Sequence, residues 1–206
     1  MRVLYKYLKK EYAELLINKG NLRIGTLYEY RDIEKHGKII GDEGEGTKSV
    51  YMEMNNVTWT KDTQPAFGKS FFNLGEGGVV HFDGITLEKP THSPNYYMYC
   101  TTSVIDENAL VDFGYDTCVV IENPTKFFLA VNRVMRHKGI YEGVFPCAYQ
   151  SRRVAHYQDN GIHPAIIKPT EYRNQSEVRA LWRPKKNKAE PMVIECFKAR
   201  QFCKIL

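Results

Sequence analysis

The chain lacks the short signatures of several large enzyme classes. It has no GxSxG, no phosphate-cradling glycine loop and no GxGxxG, which argues against a serine hydrolase, a P-loop nucleotidase and a Rossmann dehydrogenase. Its histidines (His36, His81, His92, His137, His156 and His163) form no HxH, HxxxH or HExxH, so their spacing fixes neither a metal site nor a triad. The five cysteines, Cys100, Cys118, Cys147, Cys196 and Cys203, are odd in number and irregularly spaced, without a CxxC. Reduced thiols in a cytoplasmic protein are expected. No run of 18 apolar residues occurs, so no membrane span is expected. Lys6 breaks the apolar stretch near the start, so a signal-peptide core is not expected either. Repeats, low-complexity tracts and linkers are also missing, and residues 1–206 read as a single domain.

What is present suits a folded core. Hydrophobic residues make up 43% of the 206 and aromatics 13%, above what a disordered chain carries. A chain of this size buries roughly 70% of its unfolded surface. There are 29 basic and 24 acidic side chains, a net charge of +5. Residues 1–103 carry 13 of each, so the whole excess lies in residues 104–206.

The clearest local pattern is at the start. Residues 3–7 are rich in β-branched and aromatic side chains and predict a strand. Leu8, Tyr12, Leu15 and Leu16 recur at helical spacing, and Gly20 stands where a left-handed cap would end that helix. Residues 22–28 predict a second strand. Residues 32–49, with Glu34, Asp42, Glu43 and Glu45 among four glycines, predict a polar loop. Weak alternation over residues 50–90 predicts short strands, and residues 96–102 and 118–121 two more. Residues 125–138 fit a short helix or a strand with a basic turn. Residues 144–149 predict a strand at an edge or bulge, because Pro146 cannot donate to a ladder. Residues 166–167, 178–182 and 192–197 complete a β-rich second half, with residues 185–188 as a hairpin tip. The class is α+β and mostly antiparallel.

Five groups of residues could carry chemistry. Gln175 and Glu177 are spaced so that on a strand they would share a face. There one could hold a ribose while the carboxylate stabilises an oxocarbenium-like carbon. The plain alternative is a solvated strand start, with Glu177 paired to Arg179 or Arg173. Thr101, Thr102 and Ser103 close an aromatic strand and could orient a ligand or a carboxylate by hydrogen bonding; they are also ordinary turn formers. The acidic residues near Gly41, Gly44 and Gly46 could bind a hard cation but lack calcium-loop spacing; internal salt bridges, or Arg31 anchoring the loop, are the alternative. The histidines are too scattered to form a site. Last, Arg133, Arg136, Lys138, Arg152 and Arg153, and then Arg179, Arg183, Lys185, Lys186 and Lys188, form two basic groups interleaved with Tyr141, Tyr149, Tyr157 and Trp182. Cations with aromatics suit phosphates and bases, and a solvated basic face is the alternative.

The opening Leu4-Tyr5-Lys6-Tyr7, the stretch from Asn21 to Arg31 with its acidic glycine-rich loop, residues 97–103 and residues 168–182 together resemble a large bacterial and phage family of unknown function. That family starts on a Tyr-Lys-Tyr-like strand and ends on a Glu-x-Glu-x-Arg strand. The layout is also similar to the ADP-ribosyltransferase superfamily, with its cationic first strand, Ser-Thr-Ser-like middle motif and late Gln/Glu-x-Glu motif. That resemblance implies a split, mostly antiparallel β-sheet core with a few short helices and an NAD site between its sheets. It implies Glu177 as the catalytic carboxylate, Gln175 positioning the acceptor and Ser103 orienting Glu177. It places Lys6, Tyr7, Arg23, Arg31 and Thr101 at the cofactor. Lys6 stands where arginine or histidine is usual, with Arg2 and Arg23 nearby, and lysine lacks the planar fork of arginine.

Two functions follow as expectations. One is an NAD-dependent ADP-ribosyltransferase-like enzyme acting on a nucleic acid or protein, held through Arg152, Arg153, Arg183, Lys185 and Lys186. The resemblance suggests a toxin or phage-conflict setting for it. The other is a non-catalytic nucleotide, nucleic-acid or protein binding module on the same scaffold. A metal-dependent nuclease using Glu34, Asp42 and Glu45 is a third reading.

Overall fold

The computed structural model describes residues 3–106, 108, 110, 114–186 and 188–206, so Arg2 and Asn187 lie outside the described residues. The chain opens with β1 (Leu4–Leu8), α1 (Lys10–Lys19) and β2 (Asn21–Thr26), the strand–helix–strand unit expected from the pattern. Ala13 and Leu16 form the buried face of α1, and Gly20 ends it in the left-handed region at φ 73°. β2 stops two residues before the expected end. Glu29 reaches back to accept the N–H of Thr26 at 3.3 Å, and Leu27–Arg31 wind into a 3₁₀ turn. The expected loop over residues 32–49 contains a short helix, α2 (Ile33–Ile40). Asp32 caps it by accepting the N–H of Lys35 at 2.9 Å. Its glycines conceal this helix in the sequence.

An insertion follows. β3 (Thr47–Met54), β4 (Val57–Thr60), α3 (Ala66–Lys69), β5 (Val79–Phe82) and β6 (Ile85–His92) are the short strands expected there, plus one helical turn. β3 pairs with β6 and β4 with β5. Trp59 packs edge-on against Phe82 at 4.7 Å between ring centroids, and Met52, Met54 and Trp59 form a separate small core.

The chain then enters the centre of the main sheet as β7 (Tyr97–Thr102), followed by β8 (Thr117–Ile121) and α4 (Pro124–Met135). Asn123 caps α4 through the N–H of Lys126, with Pro124 in its first turn. β9 (Gly139–Pro146), β10 (Ala148–Tyr149), β11 (Arg153–Ala155) and β12 (Ile167–Lys168) come next. Then come β13 (Glu177–Pro184), β14 (Met192–Glu195), α5 (Phe197–Arg200) and β15 (Cys203–Ile205). Where the apolar run suggests one strand over residues 192–197, the chain turns into α5 after Glu195. The strands on either side of the expected hairpin tip do not pair with each other, because β13 pairs with β7 and β9 while β14 crosses to β2.

β7 is the hub of an antiparallel sheet. On one side lies β13, and outside it β9, an edge position that accommodates Pro146. The other side is divided. β2 pairs through Gly25 with Met98 and Thr26 with Tyr97, whereas β1 pairs only through Tyr5 with Thr102. Tyr99, Cys100 and Thr101 between them have no ladder partner on that side among the described residues. β8 and β15 continue outward from β1, and β14 from β2. One face of this forked sheet is covered by α1, α4 and α5. Leu4, Ile24, Tyr97, Tyr99, Val178, Ala180 and Trp182 pack there against Leu16, Phe127, Phe128, Val131 and Ala199. Alternation along β7 and β13 sends Met98, Cys100, Glu177, Arg179 and Leu181 to the opposite face.

Gly20 is under two constraints at once. Its φ is positive, and a Cβ there would lie 2.6 Å from the Cys196 carbonyl oxygen. Left-handed backbone costs a side-chain-bearing residue about 1–2 kcal/mol. We therefore expect Gly20→Ala to lose about 2 kcal/mol or more, lowering the thermal midpoint by roughly 4–8 °C. Circular-dichroism melting checks this, and an unchanged midpoint would contradict the packing of α1 on the 195–197 turn.

Candidate functional site

The fork in the sheet opens a cavity of about 110 Å³. Tyr5 and Tyr7 of β1, Met98, Cys100, Thr101 and Thr102 of β7, Tyr30 and Tyr115 form its walls. Glu45, Lys168, Gln175, Glu177 and Arg179 form its charged floor, and Lys6 completes the lining.

The floor is assembled from three segments, of which the one bearing Glu45 is remote in sequence. Glu177 and Arg179 sit at i and i+2 on β13 and share a face. The Arg179 Nε donates to Glu177 Oε1 at 2.8 Å. Its two terminal nitrogens bind Glu45 side by side, both at 2.8 Å, and Nη1 also donates to the Ala165 carbonyl at 2.6 Å. Lys168, at the end of β12, lies 2.8 Å from Glu177 Oε2 and donates to Gln175 Oε1 at 2.5 Å. Two cations and two carboxylates thus form a neutral, largely buried quartet; Arg179 is 1% exposed and Glu177 10%. The Tyr149 hydroxyl accepts the Glu177 N–H at 2.6 Å and fixes the start of β13.

These contacts set the ionisation of the site. Burial alone would raise the Glu177 carboxyl, but Arg179 and Lys168 outweigh it and hold the group well below the usual carboxylate range. Burial would lower Lys168, but Glu177 beside it keeps the ammonium above its ordinary value. Burial, with Glu177 adding to it, pushes the Cys100 thiol well up, and burial pushes Cys147 up to about 12. Both thiols stay protonated at neutral pH, which removes them as thiolate nucleophiles. Tyr30 is also raised, chiefly by burial.

The expected site residues separate into two sets. Glu177, Gln175, Lys6, Tyr7 and Thr101 line the one cavity. Gln175 arrives there differently from expectation. It ends a 3₁₀ turn, and Ser176, at φ 42°, redirects the chain before β13 begins. Gln175 and Glu177 therefore do not share a strand, and Lys168 links them. Lys6 belongs by alternation to the face of Leu4, and its ammonium lies 5.2 Å from the Tyr99 ring centroid. It meets the cavity because β1 peels away from β7 there.

Ser103, Arg23 and Arg31 are not among the lining residues. Ser103 is exposed and its hydroxyl donates to the Ser176 carbonyl at 3.2 Å, so Glu177 is oriented by Arg179 and Lys168 instead. Arg23 pairs with Glu29 at 2.8 Å. Arg31 lies over the Tyr28 ring at 3.6 Å and donates from Nε to the Glu45 carbonyl at 2.8 Å. It braces the loop that delivers Glu45. The acidic loop follows the salt-bridge alternative, with Asp42 bound side-on by Arg152 and Glu45 by Arg179. No group of three potential metal ligands occurs among the described residues, which leaves the nuclease reading of Glu34, Asp42 and Glu45 without a centre. Arg153 is likewise engaged, by Glu88 and the Tyr51 ring.

Lys168 was not legible as a site residue; Glu45 entered only as a possible metal ligand or salt-bridge former, and Arg179 as a possible partner of Glu177, a pairing the structure bears out. Glu45 and Lys168 carry no local signal of their place, since they reach the floor over 134 and 9 residues of separation respectively from their partners.

The depressed Glu177 carboxyl links stability to acid. Its contribution is complete above the ordinary value of 4.5 and is lost as pH falls below that toward the folded-state value. An acid titration followed by circular dichroism should show stability falling below about pH 4.5. Glu45→Gln should cost about 3–5 kcal/mol at neutral pH in urea unfolding, because it leaves Arg179 under-compensated; a loss below 1 kcal/mol would contradict the quartet. Comparison with protein-family models, with characterised proteins and with solved structures returns no match for this chain.

Proposed function

We propose that the cavity binds the nicotinamide-ribose end of NAD and that the protein is an ADP-ribosyltransferase-like enzyme with Glu177 as its central carboxylate. The observation that carries this reading is an ionised, rigidly held carboxylate on the floor of a tyrosine-lined cavity. Departure of nicotinamide leaves the ribose carbon electron-poor, and a fixed carboxylate close to it supplies electrostatic stabilisation. Glu177 engages Arg179 and Lys168 through three contacts. A carboxylate has about four acceptor positions; the fourth is met by the Cys100 thiol, a weak donor that a ribose hydroxyl would displace.

The rest of the lining fits the same ligand. Tyr5, Tyr7, Tyr30 and Tyr115 offer ring surface for a heterocycle. Among the described residues, Lys6 is the lining cation with no carboxylate partner, so the cavity's charged groups sum to +1 and favour an anionic ligand. Gln175 lies beside Glu177 and would position an acceptor. The volume, about 110 Å³, is below the roughly 300 Å³ of a pocket enclosing a whole drug-sized ligand. One end of the dinucleotide would enter and the remainder would lie over the open side.

A second reading has its own support. Both Glu177 oxygens already face cations, which reduces the charge available to a reacting carbon. That arrangement favours a nucleotide-binding module without turnover.

Titration calorimetry with NAD and chromatographic detection of released nicotinamide, with cell extract as acceptor, separate the two. The enzyme reading expects saturable binding with release, and loss of release in Glu177→Gln. Lys6→Ala, at a half-exposed position, should keep the fold and weaken binding about tenfold, or 1.4 kcal/mol. Binding without release would establish the module; absence of binding would overturn both.

A further inference from the structure

The net charge of this protein is confined to one place. Residues 133–142 and 183–186 carry Arg133, Arg136, Lys138, Arg183, Lys185 and Lys186 against the single acid Glu142, a local +5. The remaining 23 basic and 23 acidic side chains cancel. The fold brings the two segments together. β9 and β13 pair Arg183 with Ile140 and Pro184 with Gly139, and beyond the ladder the Lys185 N–H donates to the Lys138 carbonyl at 3.0 Å. The turn ending α4 and the turn ending β13 are therefore adjacent. Arg136, which follows α4, donates to the ring of its neighbour His137 at 3.0 Å, and Arg133 lies one helical turn earlier.

Five of these six cations have no carboxylate within ion-pair distance among the described residues; Arg183 alone is matched, by Glu142 at 2.8 Å. All six are exposed. By contrast Arg152, Arg153 and Arg179, which the sequence groups with them, are bound to Asp42, Glu88 and Glu45. The patch is far from the cavity: Glu177 and Lys185 are eight residues apart along an extended strand, about 26 Å.

We propose that the turns ending α4 and β13 form a nucleic-acid docking surface that binds the phosphate backbone without reading sequence. Uncompensated, exposed Arg and Lys on adjacent turns suit repeated phosphates. None of the exposed aromatic side chains, Tyr12, Phe71, Tyr157 and Phe197, lies in these two segments. The surface thus presents no exposed Tyr, Trp or Phe to stack a base or to anchor in a lipid headgroup layer; its exposed ring is His137, which Arg136 engages. Docking here needs no turnover in the cavity and stands apart from the NAD reading.

The test is binding of a fluorescent 20-base-pair DNA duplex of mixed sequence by the full chain, over roughly 50–200 mM salt. Five phosphate contacts give a slope of log affinity against log salt near −4.5, a loss of several hundredfold over that range. Replacing Arg136, Lys138, Lys185 and Lys186 together by Ala should bring the slope to about −1. Lys69→Ala with Lys89→Ala, on the insertion, should leave it unchanged. A slope that persists in the fourfold variant, absence of binding at the lowest salt, or binding to phosphatidylserine vesicles but not to duplex would overturn the proposal. Melting curves confirm that the variants, all altered at exposed positions, remain folded.

Discussion

Arg179 lies late in the chain but at the buried centre of the fold. It lies on β13, the strand between the hub β7 and the edge β9, and it is almost wholly removed from water. A cation in that position is tolerable only if every N–H finds an acceptor. The five donors of the guanidinium meet Glu45 twice, Glu177 twice and the Ala165 carbonyl once. Lysine has three donors and no planar fork, so it could not hold two carboxylates and a carbonyl in one plane. The remote segment bearing Glu45 and the nearer turn at Ala165 are therefore brought to β13 by a single side chain. Such a network adds little net stability over apolar packing, but it penalises any arrangement that leaves one member unpaired.

The floor of the cavity inherits its character from that constraint. Glu177 is ionised because Arg179 and Lys168 surround it, and it is immobile for the same reason. Rigidity and ionisation favour a role at a developing positive charge, while compensation by two cations reduces the strength of that role. The proposed enzymatic and binding readings thus draw on the same contacts. The fork in the sheet supplies the rest. Because β1 and β2 each meet only one end of β7, the middle of β7 faces a gap instead of a neighbouring strand, and a gap lined by tyrosines is where a ligand can enter.

Much of the local structure was legible in the residues. Helical spacing with Gly20 behind it marks α1 because these are short-range signals, but the expected face is only partly right: Leu8 belongs to β1, Tyr12 is exposed, and Ala13 and Leu16 are the buried residues. Pro146 marks an edge because its ring removes a donor. The helix over residues 33–40 was hidden because Gly37 and Gly41 read as breakers, although Asp32 is a good cap. Residues 192–197 looked like one strand because an apolar run does not show where a chain turns. Glu177 and Gln175 were found by spacing, but for the wrong geometry: the αL turn at Ser176 places them in the same cavity from different elements.

By itself, the sequence determined the class of fold, the strand–helix–strand opening and the +5 charge, since these depend on local propensity and on simple counting. Only the tertiary structure decided which charges cancel. Glu45, Lys168 and Arg179 are unremarkable in their own neighbourhoods and become a buried quartet when distant segments meet. The same meeting neutralises Arg152 and Arg153 and leaves five cations uncompensated at the far end of β13. Ion pairing depends on distance in space, and that distance is set by the whole fold rather than by any stretch of the chain.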